Sequence, residues 1–240
     1  MKTATIILLT AGAAIAFPAV AAPPAGGNVP MKVLPRDSTN WTRTVVATPE
    51  GGFRMGNPAA KMKLVEYGSL TCGHCATFAK EGMGPLVANY VRSGKLSYEY
   101  RNFILNGLDV AATLVARCGG AERFFPLTDA FYATQDQWKD RVKALTDAQK
   151  QSINALPEDQ RLGRLADLAG IPQIAAQHGV APNEAKRCLN DKAAFEGLGK
   201  MSEAAVAAGV DGTPIFFLDG VKIGPHSWTT LEPILRDKAG

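Results

Sequence analysis

The chain is short of cysteine. Four in 240 residues, Cys72, Cys75, Cys118 and Cys188, are too few for a disulfide scaffold at this length, so the core must come from ordinary hydrophobic burial. Histidine is scarcer still: three residues, His74, His178 and His226, lie far apart in the sequence. His178 beside Gly179 and His226 after Pro225 read as loop residues, not ligands. Neither sign of charge dominates. The 26 basic and 22 acidic residues are interspersed and leave +4, which favours solubility and gives no footing for nucleic acid. The apolar fraction of 46% is normal for a globular core. No internal repeat is visible.

A membrane-spanning run is missing as well. Residues 6–16 are apolar but too short to cross a bilayer. With Lys2 ahead of them and Ala19-Val20-Ala21 behind, they form a secretory signal peptide over 1–21, cut after Ala21. A retained anchor is disfavoured by that cleavage site and by the Pro-rich stretch that follows, and the absence of a nearby cysteine disfavours a lipoprotein. Residues 22–42, with Pro23, Pro24, Gly26, Gly27, Pro30 and Pro35, form a flexible lead-in. Export points to a bacterial periplasm, where disulfides persist.

What the chain does have is Cys72-Gly73-His74-Cys75, preceded by the strand-like run 62–67 and followed by a helical pattern through Phe78, Met83, Leu86, Val87, Tyr90 and Val91. A first cysteine at a strand-to-helix junction sits where unpaired N–H groups and the helix macrodipole favour a thiolate. Thiolate is the species that attacks disulfides. His74, between the two cysteines, can stabilise it by charge or hydrogen bond. Zinc would need a second pair, and Cys118 and Cys188 are isolated; c-type haem would need His at position 76, which is Ala76.

Around the motif, residues 44–48 read as a first edge strand, and Gly51, Gly52, Gly56, Asn57 and Pro58 as a turn region before the central strand. Pro85 predicts a kink in the motif helix. Residues 96–103 alternate with period two, a second strand. Residues 109–208 then lose their β-branched runs, and 110–118, 123–134, 147–156, 158–169 and 184–189 read as helices, with a longer one over 194–208. Phe124, Phe125, Phe131 and Tyr132 recur at helical spacing and belong to the core, not to a substrate groove. Residues 215–218 and 221–223 flank Asp219-Gly220, a hairpin signal, and a last helix covers 228–238.

Glu66 six residues before Cys72, the motif itself, and Gly212-Thr213-Pro214 entering an apolar strand together resemble a thioredoxin-fold oxidoreductase. The helical block between the second and third core strands is similar to that of the DsbA-type thiol-disulfide oxidoreductases. The resemblance implies an α/β thioredoxin fold, a central mixed sheet flanked by helices, with an inserted all-helical subdomain. The core would occupy 43–107 and 194–240, and the insertion 108–193. It implies a cis Thr213–Pro214 bond against the Cys72 sulfur, Cys72 as nucleophile, Cys75 as the resolving thiol, and Glu66 as proton acceptor for Cys75. Thr213, ahead of a proline with no N–H, would pair with an extended substrate segment. The reaction would introduce disulfides into unfolded or partly folded secreted proteins without a cofactor, a membrane partner of the DsbB type re-oxidising a monomeric enzyme.

Gly73 stands where the family's commonest oxidase has proline, and Gly-His is also the pair of eukaryotic disulfide isomerases. A periplasmic reductase or isomerase with the same site therefore stays open, as does a non-catalytic chaperone or metal carrier. Cys118 and Cys188 are either two buried thiols or, as the oxidising compartment favours, a structural disulfide.

Overall fold

A computed structural model describes residues 40–240; the signal peptide expected over 1–21 and most of the expected lead-in lie outside the described residues. After a short 3-10 turn at Trp41–Arg43, the chain forms β1 (Val45–Ala47), β2 (Phe53–Gly56), β3 (Met62–Gly68), α1 (Gly73–Leu86) and β4 (Leu96–Asn102). Eight helices follow: α2 (Gly107–Cys118), α3 (Gly120–Ala133), α4 (Gln135–Lys143), α5 (Asp147–Asn154), α6 (Glu158–Ala169), α7 (Ile171–Gln177), α8 (Pro182–Leu189) and α9 (Lys192–Ala207). The chain then returns to the sheet as β5 (Ile215–Leu218) and β6 (Val221–Gly224) and ends in α10 (Trp228–Ala239). No helix among the described residues is long and apolar enough to cross a membrane.

The strands form one sheet in the order β1-β2-β4-β3-β5-β6. Only β3 and β4 run parallel, linked by α1; the other neighbours are antiparallel. This is the thioredoxin architecture with a helical insertion. β3 is central because alternate residues on both its faces are covered: Leu64 faces one layer of the core and Tyr67 another. The β5–β6 hairpin turns at Asp219 and Gly220, with φ of 52° and 83°, as an Asp-Gly two-residue turn demands. Asp219 also accepts the Lys63 amide at 2.7 Å and an ion pair from Lys238 at 2.7 Å, so the turn is pinned to β3 and to α10.

One expectation needs correction. The region before β3 is not all turn: β2 lies inside it, because Phe53 is buried and stacks on Phe124 with centroids 4.1 Å apart. The glycines at either end of β2 mask so short a strand. β4 forms where the period-two pattern predicts it but has no wet face, since only Arg101 in it is not buried. Its polar side chains are paired instead, Glu99 accepting from Thr48 Oγ1 and from Arg101 Nε, both at 2.7 Å. Pro85 lies inside α1, near the place where the sequence predicts a kink. The helix runs one residue further and passes into a π-helical turn at Val87–Val91, downstream of the hydrogen bond that a proline cannot donate.

The helices expected in the insertion are present, and Phe124, Phe125, Phe131 and Tyr132 are buried in the core. Cys118 at the end of α2 is bonded to Cys188 on α8, with a sequence separation of 70. A loop of that size confines the unfolded chain, so replacing both cysteines with alanine is expected to destabilise the protein by up to about 4 kcal/mol. Urea unfolding of the double variant checks this; a midpoint equal to that of the oxidised parent would contradict it.

Candidate active site

The site is assembled at the carboxyl end of β3. Gly68 comes first, and it is glycine for a reason: a Cβ there would lie 2.6 Å from the Tyr100 hydroxyl. The loop 69–72 follows and delivers Cys72 to the N-cap of α1, with extended backbone (φ −79°, ψ 124°). Its sulfur is half-buried, and as a thiol it donates to the Thr213 carbonyl oxygen at 3.3 Å. The Thr213–Pro214 bond is cis, and both residues line the groove beside the motif. Cys75, one turn into α1, has no exposed surface. Both cysteines are free thiols.

Their acidities diverge. The Cys72 thiol is lowered to about 5. The hydrogen bond from the Cys75 thiol is the main cause; it outweighs burial and is helped by Thr213 and by the backbone N–H groups of Cys75 and His74. Thr213 Oγ1 is buried with no partner of its own, a donor free to serve a thiolate. Cys75 is pushed well above its ordinary value, first by burial and then by its bond to Cys72 and the charges of Glu66 and Cys72. The pair is therefore one thiolate and one thiol near neutral pH.

His74 reaches this sulfur through its main chain. Its side chain is exposed and lines an open groove of about 290 Å³ beside the motif, with Glu81, Thr213, Pro214 and His226 among the other walls. His226 is a loop residue, as expected, tied to Ile223 O at 2.9 Å and Thr230 Oγ1 at 3.1 Å. Its place in the groove wall was not foreseeable from Gly224-Pro225.

Glu66 lies beneath the motif and is 1% exposed. Tyr98, from the parallel neighbour β4, donates to its Oε2 at 2.6 Å. Burial nevertheless raises the carboxyl to about 8, with Tyr98 opposing and the Cys72 charge adding. Glu66 is thus a protonated acid at pH 7 that can give its proton up just above.

Sequence reasoning missed the groups that hold the loop. Asp109 on α2, fully buried, accepts from Ser69 Oγ (2.6 Å), Leu70 N (3.0 Å) and Leu105 N (3.0 Å). Gln135, the first residue of α4, donates to the carbonyls of Leu70 (2.8 Å) and Cys72 (2.9 Å). Lys139, one turn on, donates to the Thr71 carbonyl at 2.8 Å, and Tyr132 donates to that of Ser69 at 3.1 Å. All four come from the helical insertion, at separations no local pattern reveals.

Comparison with known proteins agrees with this geometry. A family model described as thioredoxin matches residues 48–237. A protein of Rickettsia conorii named a protein-disulfide oxidoreductase is 31% identical over 77% of this chain and 59% of its own length. A counterpart in Rickettsia felis is 30% identical, again over 59% of its length, so the chain spans about three-fifths of these relatives. Among solved structures, a protein-disulfide isomerase from Novosphingobium aromaticivorans superimposes with a TM-score of 0.74 at 33% identity, covering 79% of this chain and 98% of that one. The alpha-DsbA1 of Wolbachia pipientis, at 23% identity, shares the fold with a TM-score of 0.59 over 81% of this chain and 94% of its own.

Proposed function

The chain belongs to the thioredoxin family, and from that premise we propose that it is an exported thiol-disulfide oxidoreductase that introduces disulfides into secreted proteins through the Cys72–Cys75 couple. The observation that carries the reading is the placement of the two cysteines, Cys72 half-buried at the N-cap of α1 against Thr213 and Cys75 fully buried one turn behind it, which lowers the first thiol and raises the second. A stabilised thiolate lowers the free energy of the dithiol form and makes the disulfide form an oxidant.

The cycle follows from the residues. A substrate thiolate attacks Cys72 Sγ of the disulfide form; the Cys72–Cys75 bond breaks, and its electron pair leaves on the Cys75 sulfur. Glu66 protonates that sulfur, which restores a buried neutral thiol. A second substrate thiolate then attacks the substrate sulfur in the mixed disulfide, closing the substrate's disulfide and expelling Cys72 as thiolate. Cys72 is a good leaving group because its thiolate is stabilised where it stands. Thr213, ahead of Pro214, offers backbone for an extended substrate segment to pair with, and the groove past His74 offers room for its side chains. Re-oxidation in this reading falls to a membrane partner of the DsbB type, with the enzyme acting as a monomer in the periplasm.

The second reading, a reductase or isomerase, is favoured by Gly73 and by the likeness to a protein named a protein-disulfide isomerase. A Cβ at position 73 would meet nothing within 4 Å, so no crowding dictates glycine there, and the residue is free to tune the couple. The reduction potential of Cys72–Cys75, measured against glutathione, separates the two. We expect a value nearer −120 mV than −270 mV, the figures typical of a strong thiol oxidase and of thioredoxin. A value near the lower figure would replace the oxidase reading with the second.

A further inference from the structure

One face of α3 carries Phe125, Thr128, Asp129 and Tyr132, spaced as neighbours on a single helical stripe. That face meets Phe78, Ala79 and Met83 of α1 over the buried Glu66, and between them lies a cavity of about 10 Å³. This is about the volume that one water requires, provided two to four polar groups surround it. The wall supplies them. Thr128 is 4% exposed, and its Oγ1 has no hydrogen-bond partner. Glu66 takes its hydrogen bond on Oε2, which leaves Oε1 for another. Asp129 lines the same cavity yet is itself exposed, so it connects the inside to solvent.

We propose that this cavity is a one-water site that carries protons between Glu66 and solvent, with Thr128 holding the water and Asp129 at its outer end. The inference rests on the oxidoreductase reading, because it answers a need of that cycle. When Cys75 leaves as thiolate it takes the Glu66 proton, and the carboxylate left behind, 1% exposed, must recover one from solvent. In the reverse direction the same proton must leave. The water accepts a proton on one side as it gives one on the other, and Asp129 exchanges with bulk solvent.

The other titratable groups facing Glu66 do not offer a route. Tyr98, Tyr100 and Tyr132 are all held well above the usual phenol value by burial, so they stay protonated. Cys72 and Cys75 are the reacting pair. Asp129 is suited to its position: although the residue is exposed, enough protein crowds its carboxyl that lost hydration raises it to about 6. Donor and acceptor at the two ends of the cavity thus both titrate near neutrality.

The test compares the full chain with Thr128→Val, Thr128→Ser and Asp129→Asn. Rapid mixing of the disulfide form with dithiothreitol reads the exchange rate between pH 6 and 8, and equilibration with glutathione reads the couple itself. We expect Thr128→Val and Asp129→Asn to slow exchange about five- to tenfold, a fraction of what a full general acid supplies. Thr128→Ser, which keeps the hydroxyl, should stay within about twofold, and the equilibrium constant should be unchanged in all three. Wild-type rates in Thr128→Val and Asp129→Asn would overturn the proposal. So would slowing accompanied by a shifted equilibrium constant, which marks a structural role. A crystal structure fine enough to show ordered water decides the site independently of activity: a water bonded to Thr128 Oγ1 and Glu66 supports it, and a dry cavity refutes it. Absence of any exchange by the wild type would instead defeat the oxidoreductase reading, with the water site still judged by the crystal.

Discussion

Replacing Cys75 with alanine should turn an exchanger into a trap. The variant keeps Cys72 at the N-cap of α1, with Thr213 and the backbone N–H groups around its sulfur, and loses the thiol bond from Cys75. It can still attack a substrate disulfide: a Cys72–substrate bond forms, and the displaced substrate sulfur leaves as thiolate. No second cysteine is then within reach. Attack by a group held in place on the same chain can match that of an external reagent at about 10⁵ M or more, so resolution by millimolar free thiols should be slower by well over a thousandfold. A covalent one-to-one adduct should therefore accumulate on a non-reducing gel and disappear with reductant. Cys72→Ala should give none. If Cys75→Ala forms no adduct with substrates that carry a reducible disulfide, the non-catalytic chaperone or carrier reading takes its place.

The second large effect is a pH profile. With Cys72 lowered to about 5, roughly nine-tenths of it is thiolate at pH 6, against under about 1% of an ordinary cysteine near 8.5. The advantage in thiolate is about 300-fold, but a less basic thiolate is a weaker nucleophile by roughly 40-fold at a Brønsted slope of 0.4–0.5. The two effects together make Cys72 about tenfold faster than free cysteine toward a dipyridyl disulfide at pH 6 and about tenfold slower at pH 8. The crossover is more telling than either rate, because mere exposure cannot produce it. A midpoint above pH 7 would remove the physical basis of the oxidase.

The same shift links to stability. The folded value lies below the unfolded one, so the thiolate stabilises the reduced fold. That stabilisation is full above the unfolded value near 9 and is lost as pH falls through 5. Comparing reduced with oxidised protein reads it together with the part of the Glu66 shift that the Cys72 charge causes, the burial of Glu66 being common to both.

The parts of the molecule legible in the sequence are those whose signal is local. The strand–motif–helix junction, Asp219-Gly220 between two apolar runs, and Pro214 at the head of β5 each depend on a few adjacent residues. Glu66 could be named, but its environment could not: the Tyr98 hydroxyl reaches it only through the parallel pairing of β3 with β4, which places Glu66 opposite Tyr100. His74 illustrates a finer limit. Its place in the motif is plain, yet the atom that faces Cys72 is a backbone nitrogen, which every non-proline residue has. Helix α4 escaped notice because Trp138 is its one buried apolar residue, too little for a period, and Gln135 and Lys139 went unnoticed with it.

Those two residues, with Asp109 and Tyr132, have a consequence for anyone who would shorten or shuffle this protein. Closing the chain directly from β4 to α9 would keep every strand, both motif cysteines and the cis proline. It would also strip the donors from the carbonyls of Leu70 and Thr71, and one of two donors from those of Ser69 and Cys72. Carbonyls left bare under cover cost about 1–3 kcal/mol each, and the loop would rearrange to wet them, carrying the nucleophile off its helix cap. A minimal version of this chain must therefore retain α2 through α4. By the same reasoning, a motif loop transplanted into a relative should travel with the helices that grip it.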